Sequence, residues 1–168
     1  MKEVPDGEVG EIVMRSPAIM KGYYKNEEAT KEAFRNGWHH TGDVGCKGAD
    51  GDFYFIDRLK DMIKTGGVNV SAMEVEAVLN SIPGVENSAA FGVYHPDWTE
   101  AVAAAVVTKK DSLSEKDILS YCKKNMAAFK VPKRIVFVDE VPISHIGKIL
   151  RRELREKYKD LFRENKGK

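Results

Sequence analysis

The chain has 168 residues, 42% hydrophobic and 32% charged, enough for one domain or two small ones with a core that needs no staples. Its 27 Lys and Arg against 26 Asp and Glu leave a formal net charge of +1, which excludes a globally basic nucleic-acid or membrane-surface binder. No apolar run approaches the roughly 20 residues of a membrane span, and the polar start MKEVPDGEVGE is not a signal peptide. Cys46 and Cys122 are far apart and read as unpaired thiols of a reducing cytoplasm, so a cytoplasmic location is expected.

In chain order, residues 8–15 alternate Val9, Ile12 and Val13 with polar positions, as a strand does. Residues 26–34 are helix formers with Ala29, Ala33 and Phe34 to one side, and residues 38–41 read as another strand. Asp50-Gly51 turns the chain into the apolar strand 53–56. This first stretch is mostly β, and its apolar content is thin for a free-standing unit, which implies a larger body.

Asp57, Arg58, Lys60 and Asp61 then put four charges into five positions, a polar joint that a buried element would not tolerate unpaired. Two short extended segments, Met62-Ile63 and Val68-Asn69-Val70, flank Thr65-Gly66-Gly67, where adjacent glycines allow positive φ and close approach of another molecule. Ser71 with Glu74 forms a capping box that opens a helix over 72–81, with Ala72, Val75, Val78, Leu79 and Ile82 on one face and Pro83-Gly84 as the stop. Residues 85–93 and 101–108 are strands; the second is apolar almost throughout and is expected to be central. A helix runs from Ser114 to Met126 with Ile118, Leu119, Cys122 and Met126 inward, residues 134–138 form a strand, and a final helix within 147–162 carries Leu150, Leu154, Tyr158 and Leu161. The fold expected is α+β: a module in the order hairpin, α, β, β, α, β, α over residues 60–168, after a mostly β piece over residues 1–59.

Five stretches punctuate this plan: His40-Thr41-Gly42-Asp43, Asp57-Arg58-Leu59-Lys60-Asp61, Lys64-Thr65-Gly66-Gly67, Phe129-Lys130-Val131-Pro132, and Pro142 to Arg151 with its Pro-x-x-x-x-Gly-Lys-x-x-Arg spacing. Singly each reads as an ordinary loop. In this order they closely resemble the adenylate-forming superfamily of acyl- and aryl-CoA synthetases, peptide-synthetase adenylation domains and beetle luciferases, from Gly7 to about Tyr158.

The resemblance implies the last part of a longer AMP-forming acyl-CoA synthetase: residues 1–59 as the tail of a large nucleotide-binding domain and 60–168 as its mobile lid. It implies ATP, Mg2+ and CoA as cofactors and substrates of the full enzyme, and a small carboxylic acid as its other substrate. Nucleic acid is not expected as a partner; self-association of this chain is. The lysine matching Lys148 reaches the α-phosphate and the substrate carboxylate in the family, where an ammonium offsets charge gathered in the transition state; alone, Gly147-Lys148 is a solvated loop pair. Asp43 matches the carboxylate that accepts from the two ribose hydroxyls, and Arg58 the guanidinium near ribose and phosphates; their bland readings are a turn former and a surface ion pair with Asp57 or Asp61.

Lys60 matches the hinge, and Lys64, Gly66 and Gly67 match the hairpin lining the pantetheine tunnel in the thioester-forming state. The Lys-Thr-Gly-Gly-x-Asn-Val wording resembles fatty-acyl and aryl ligases, whereas Val68-Asn69 departs from the usual Glu-Asn or Tyr-Arg and puts a CoA phosphate contact at Asn69 in doubt. His39, His40, His95 and His145 have no metal spacing, and Lys123, Lys124, Lys130, Lys133 and Arg134 read as a solvated basic face that is also able to meet CoA phosphates. The family's phosphate loop is absent from the sequence, so this chain alone is expected to be inactive. A domain that loads a carrier protein, and a free-standing binding remnant, are the other readings.

Overall fold

A computed structural model describes residues 2–109 and 113–163. The chain divides into two compact units, Met1–Lys60 and Asp61–Lys168, parting one residue beyond the boundary expected from sequence.

The first unit is a three-stranded antiparallel sheet in the order β1 (Gly10–Met14), β2 (His39–Lys47), β3 (Phe53–Arg58). Helix α1 (Glu27–Ala33) and a 3-10 turn over Arg35–Gly37 connect β1 to β2. Asn26 caps α1 by accepting the Ala29 N–H at 3.0 Å, which satisfies one of the helix's orphan donors. Strand β2 runs well past residue 41, where the sequence reading ends it, so Asp43 lies inside a strand and not in a turn. The misleading residue is Gly42, which takes φ +73° without ending the ladder. Gly45 is needed for a different reason: a Cβ there would sit 2.5 Å from the Tyr54 carbonyl. Among the described residues of this unit, Val44 is the only buried hydrophobic side chain, as the thin apolar content led one to expect.

The second unit is a mixed sheet packed on both faces. Hairpin β4 (Ile63–Thr65) and β5 (Val68–Val70) joins β7 (Thr99–Thr108), which pairs antiparallel with β6 (Val85–His95) along its whole length and parallel with β8 (Arg134–Phe137). Strand β7 is therefore central, and Ala101 to Val106 are all fully buried. Helices α2 (Ala72–Asn80) and α3 (Glu115–Asn125) cover the face bearing Ala90, Val102, Ala104 and Val106. The opposite face, with Ala89, Phe91, Ala103 and Ala105, receives Leu154 of α4 (Arg151–Lys157) together with Tyr158 and Leu161. Alternate residues of a strand point to opposite faces, so one alanine-rich strand serves both cores. Ser71 caps α2 by accepting the Glu74 N–H, and α3 carries a full capping box between Ser114 and Asp117. The final helix is shorter than expected: it stops at Lys157, and Tyr158 to Phe162 pack as turns.

The fold is thus mixed α/β in the element order that the sequence implied. Among the described residues, no helix is long and apolar enough to cross a membrane.

Candidate functional site

In the first unit, Asp43 and Arg58 are register partners on β2 and β3, with Arg58 Nε 3.5 Å from Asp43 Oδ1. Both side chains are substantially exposed, at 35% and 48%, so the pair presents a carboxylate and a guanidinium to solvent. The pairing differs from the Asp57 or Asp61 partnership considered from sequence. Asp57 is buried and accepts the Arg58 backbone N–H at 2.7 Å. The backbone under Asp43 is held by Thr41, whose hydroxyl donates to Ile12 O at 2.7 Å and accepts the Asp43 N–H at 3.0 Å. Glu11 adds a second support: it accepts the Gly42 N–H at 3.3 Å and meets His40 Nδ1 at 2.7 Å and Arg35 at 3.1 Å. Sequence reading did not single out Glu11. Its partners lie 24 to 31 positions away, and the only local sign was a glutamate within an otherwise apolar strand.

Lys60 is exposed at the boundary between the units. In the second unit, Lys64 is exposed on β4, opposite Asn69, and its backbone N–H donates to Glu100 at 2.8 Å. Gly66 and Gly67 take φ +55° and +80°, the pattern of a two-residue hairpin turn that only glycine enters without strain. A Cβ at either would meet nothing within 4 Å, so the surface above both is open. The Gly66 N–H donates to Trp98 O at 3.0 Å, fixing the turn to the start of β7. Trp98 stacks on His95 with centroids 4.3 Å apart, and Lys133 Nζ lies 4.9 Å above the Trp98 ring.

Lys148 sits on a separate loop between β8 and α4. Gly147 takes φ +78°, its N–H donates to Ser144 O at 2.8 Å, and the Ser144 hydroxyl accepts the Lys148 N–H at 3.1 Å. Ser144 N–H returns to Lys148 O at 2.7 Å, and Ile143 bridges Ile149. A small hairpin therefore projects an exposed lysine, flanked by Ile143 and Ile146 at 57% and 65% exposure. Three residues on, Arg151 Nη2 donates to both carboxylate oxygens of Glu76 of α2, at 2.7 and 2.8 Å. Neither residue was assigned a role from sequence. The signal was there: Glu76 falls on the stripe Ala72, Val75, Leu79, and a carboxylate on an apolar stripe requires a partner.

The remaining candidates disperse. Lys130 pairs with Glu74 and Arg134 with Glu115, which divides the basic cluster into separate ion pairs. His39 packs on Phe34, His40 on Glu11 and His95 on Trp98. Among the described residues, no group of three or more His, Cys, Asp or Glu side chains is placed to hold a metal ion. Burial pushes the Cys122 thiol above the ordinary thiol range.

Residues 74–148 match the AMP-binding enzyme C-terminal domain. The chain is 44% identical over 154 residues to a long-chain-fatty-acid–CoA ligase of Escherichia coli O6:H1 (strain CFT073), covering 92% of this chain and 28% of that protein. It is 46% identical over 156 residues to a feruloyl-CoA synthase of Amycolatopsis sp, covering 92% of this chain and 32% of that protein. The crystal structure of ATP-bound MatB from Rhodopseudomonas palustris superposes with a TM-score of 0.88 at 39% identity, over 96% of this chain and 32% of that one. The chain thus spans under a third of the length of these relatives. With its motifs, element order and domain match in agreement, the chain belongs to the adenylate-forming enzymes and corresponds to their C-terminal portion.

Proposed function

We propose that this chain works as the C-terminal portion of a cytoplasmic AMP-forming acid–CoA ligase acting on a fatty or aryl carboxylic acid. The observation that carries the reading is Lys148: an exposed ammonium on a tight, positive-φ hairpin within the family's Gly-Lys-x-x-Arg motif. The substrate class rests on similarity to ligases named for long-chain fatty acids and for ferulate.

In the first step the carboxylate attacks the α-phosphorus of ATP, pyrophosphate leaves, and an acyl-adenylate forms. Two anions meet there, and Lys148 offsets the charge that accumulates on the phosphoryl oxygens. Asp43 supplies two acceptor oxygens for the ribose diol, with Arg58 beside it for ribose and phosphate. In the second step the CoA thiol attacks the acyl carbon and AMP leaves. The open surface over Gly66 and Gly67, with Lys64 alongside, suits the passage of a pantetheine arm. Lys60, exposed between the two units, is the pivot that exchanges the Lys148 hairpin for the glycine hairpin. ATP enters this reading as its Mg2+ complex.

The test is ATP–pyrophosphate exchange with fatty and hydroxycinnamic acids. This chain alone is expected to support none; turnover of about 1–10³ per second would overturn its reading as one portion of a catalyst. Joined to a body that carries the phosphate loop, it should support exchange that Lys148→Ala lowers at least about a hundredfold. Undiminished exchange in that variant would overturn the role of Lys148.

A further inference from the structure

Two charges in the second unit defy local rules. Arg151 is the first residue of α4, where a cation opposes the helix dipole, and α4 has no side-chain cap. Glu76 lies on the buried stripe of α2. They answer each other. Arg151 donates to both Glu76 oxygens at 2.7 and 2.8 Å, and the two side chains are only 11% and 10% exposed.

Between them lies Ala90 of β6. Strand β6 ends the sheet, so alternate backbone groups along it have no neighbouring strand. Glu76 accepts the Ala90 N–H at 2.8 Å, and Arg151 Nε donates to the Ala90 carbonyl at 3.2 Å. Helix α2 covers one face of the sheet and α4 the other, so the ion pair joins the two layers around the sheet edge. A third group reaches the same guanidinium: Asp61 Oδ2 is 3.8 Å away, at 17% exposure, in the residue that follows Lys60.

The Lys148 hairpin ends one residue before this ion pair, with Val141 and Ile149 at its base packed on the core. Its apolar residues Ile143 and Ile146 are exposed and pack on little. Its internal bonds end at Leu150 N–H to Pro142 O, one residue before Arg151. The start of α4 is therefore continuous with the base of the hairpin that carries Lys148. Buried ion pairs add little net stability in themselves; this one also satisfies the N–H and carbonyl of the buried Ala90, which apolar side chains would leave unpaired. A planar guanidinium, however, holds a carboxylate in two bonds and a carbonyl in a third, which fixes direction.

We infer that Glu76 and Arg151 are positioning residues for Lys148, and that Asp61 ties them to the segment following the hinge. The inference rests on the proposed role of Lys148 in adenylate formation. The test uses Arg151→Lys, which keeps charge and loses the fork, and Glu76→Gln, which keeps shape and loses charge. Amide exchange is measured in this chain, and each half-reaction in the enzyme that carries it. Amides of Ser144, Gly147, Lys148 and Leu150 should exchange at least tenfold faster while the β7 amides stay protected. Adenylate formation should slow at least tenfold in kcat with the KM for ATP held, and thioester formation from supplied acyl-adenylate should change less than twofold. Asp61→Asn should give a weaker form of the same pattern, and it removes only the outermost contact should the other variants fail to fold. Unchanged loop exchange in all variants, or equal losses in both half-reactions, would overturn the inference. Undiminished adenylate formation in Lys148→Ala would overturn the role of Lys148 itself, and leave the amide-exchange result to judge the ion pair.

Discussion

Asp43 and Arg58 face each other across β2 and β3, with Arg58 Nε 3.5 Å from Asp43 Oδ1 and both groups open to solvent. An exposed pair of this kind contributes only about 0–1 kcal/mol to stability, so replacing Asp43 should test the ribose contact proposed for it without unfolding the sheet. If Asp43 accepts the ribose hydroxyls, Asp43→Ala removes hydrogen bonds to a charged acceptor worth about 1.5–3 kcal/mol each. Two such bonds come to about 3–6 kcal/mol, so the KM for ATP should rise roughly a hundredfold or more in the full enzyme. The decisive comparison is 2′-deoxy-ATP and 3′-deoxy-ATP: the parent enzyme should discriminate against both and the variant against neither. Equal discrimination in both proteins would remove Asp43 from the ribose.

Strand β3 gives the second prediction. Phe53, Tyr54 and Phe55 are consecutive and 69%, 49% and 50% exposed. Consecutive strand residues point to opposite faces, so both faces of β3 are uncovered in this chain. Aromatic surface at a sheet edge seeks cover. This chain by itself should associate at micromolar concentration in light scattering, and Phe53→Glu with Phe55→Glu should restore the monomer. A parent chain that stays monomeric at all concentrations would contradict this.

Much of the second unit was legible because its signals are local. The apolar run of β7 marked it as central, and Ser71 and Ser114 marked the starts of α2 and α3. The misses have physical causes. Gly42 reads as a strand end, yet its positive φ is absorbed as a distortion within β2, carrying Asp43 into the strand. Tyr158 and Leu161 keep helical spacing and still reach the core after α4 has stopped, so spacing overstated the helix. For Glu11, and for Glu76 with Arg151, the sequence showed a charge in need of a partner but not which one: Glu11 meets His40 across 29 positions and Arg151 meets Glu76 across 75, and no local pattern encodes such pairings.

The two thiols should behave differently. Cys122 is fully buried in the core under α3, and burial raises its pKa above the ordinary thiol value. A raised pKa leaves less thiolate at any pH below it, and the thiolate is the reactive form. Cys46 is only half-buried. Under native conditions at pH 8, a thiol reagent should label one cysteine, identified as Cys46 by peptide mass, and reach Cys122 only at the rate of unfolding. Rapid labelling of Cys122 would contradict the packing of α3 on the sheet.

The hairpin over Gly66 and Gly67 and the hairpin bearing Lys148 belong to different loops of one unit, and the proposed mechanism assigns them to different half-reactions. Lys148→Ala should cost adenylate formation roughly 3–4 kcal/mol, at least about a hundredfold, and leave thioester formation from supplied acyl-adenylate nearly intact. Gly67→Leu should do the reverse by filling the open surface, but it also strains a backbone at φ +80°. Gly67→Asn separates the two effects, since asparagine tolerates that φ; a loss that grows from Asn to Leu reports bulk in the path of the thiol arm. Lys60→Pro fixes φ at the pivot and should hold one state, so it too should split the half-reactions. Single-turnover kinetics of each half-reaction decide the matter. Equal losses in both steps for Lys148→Ala and Gly67→Leu would mean one static site and no exchange of hairpins about Lys60.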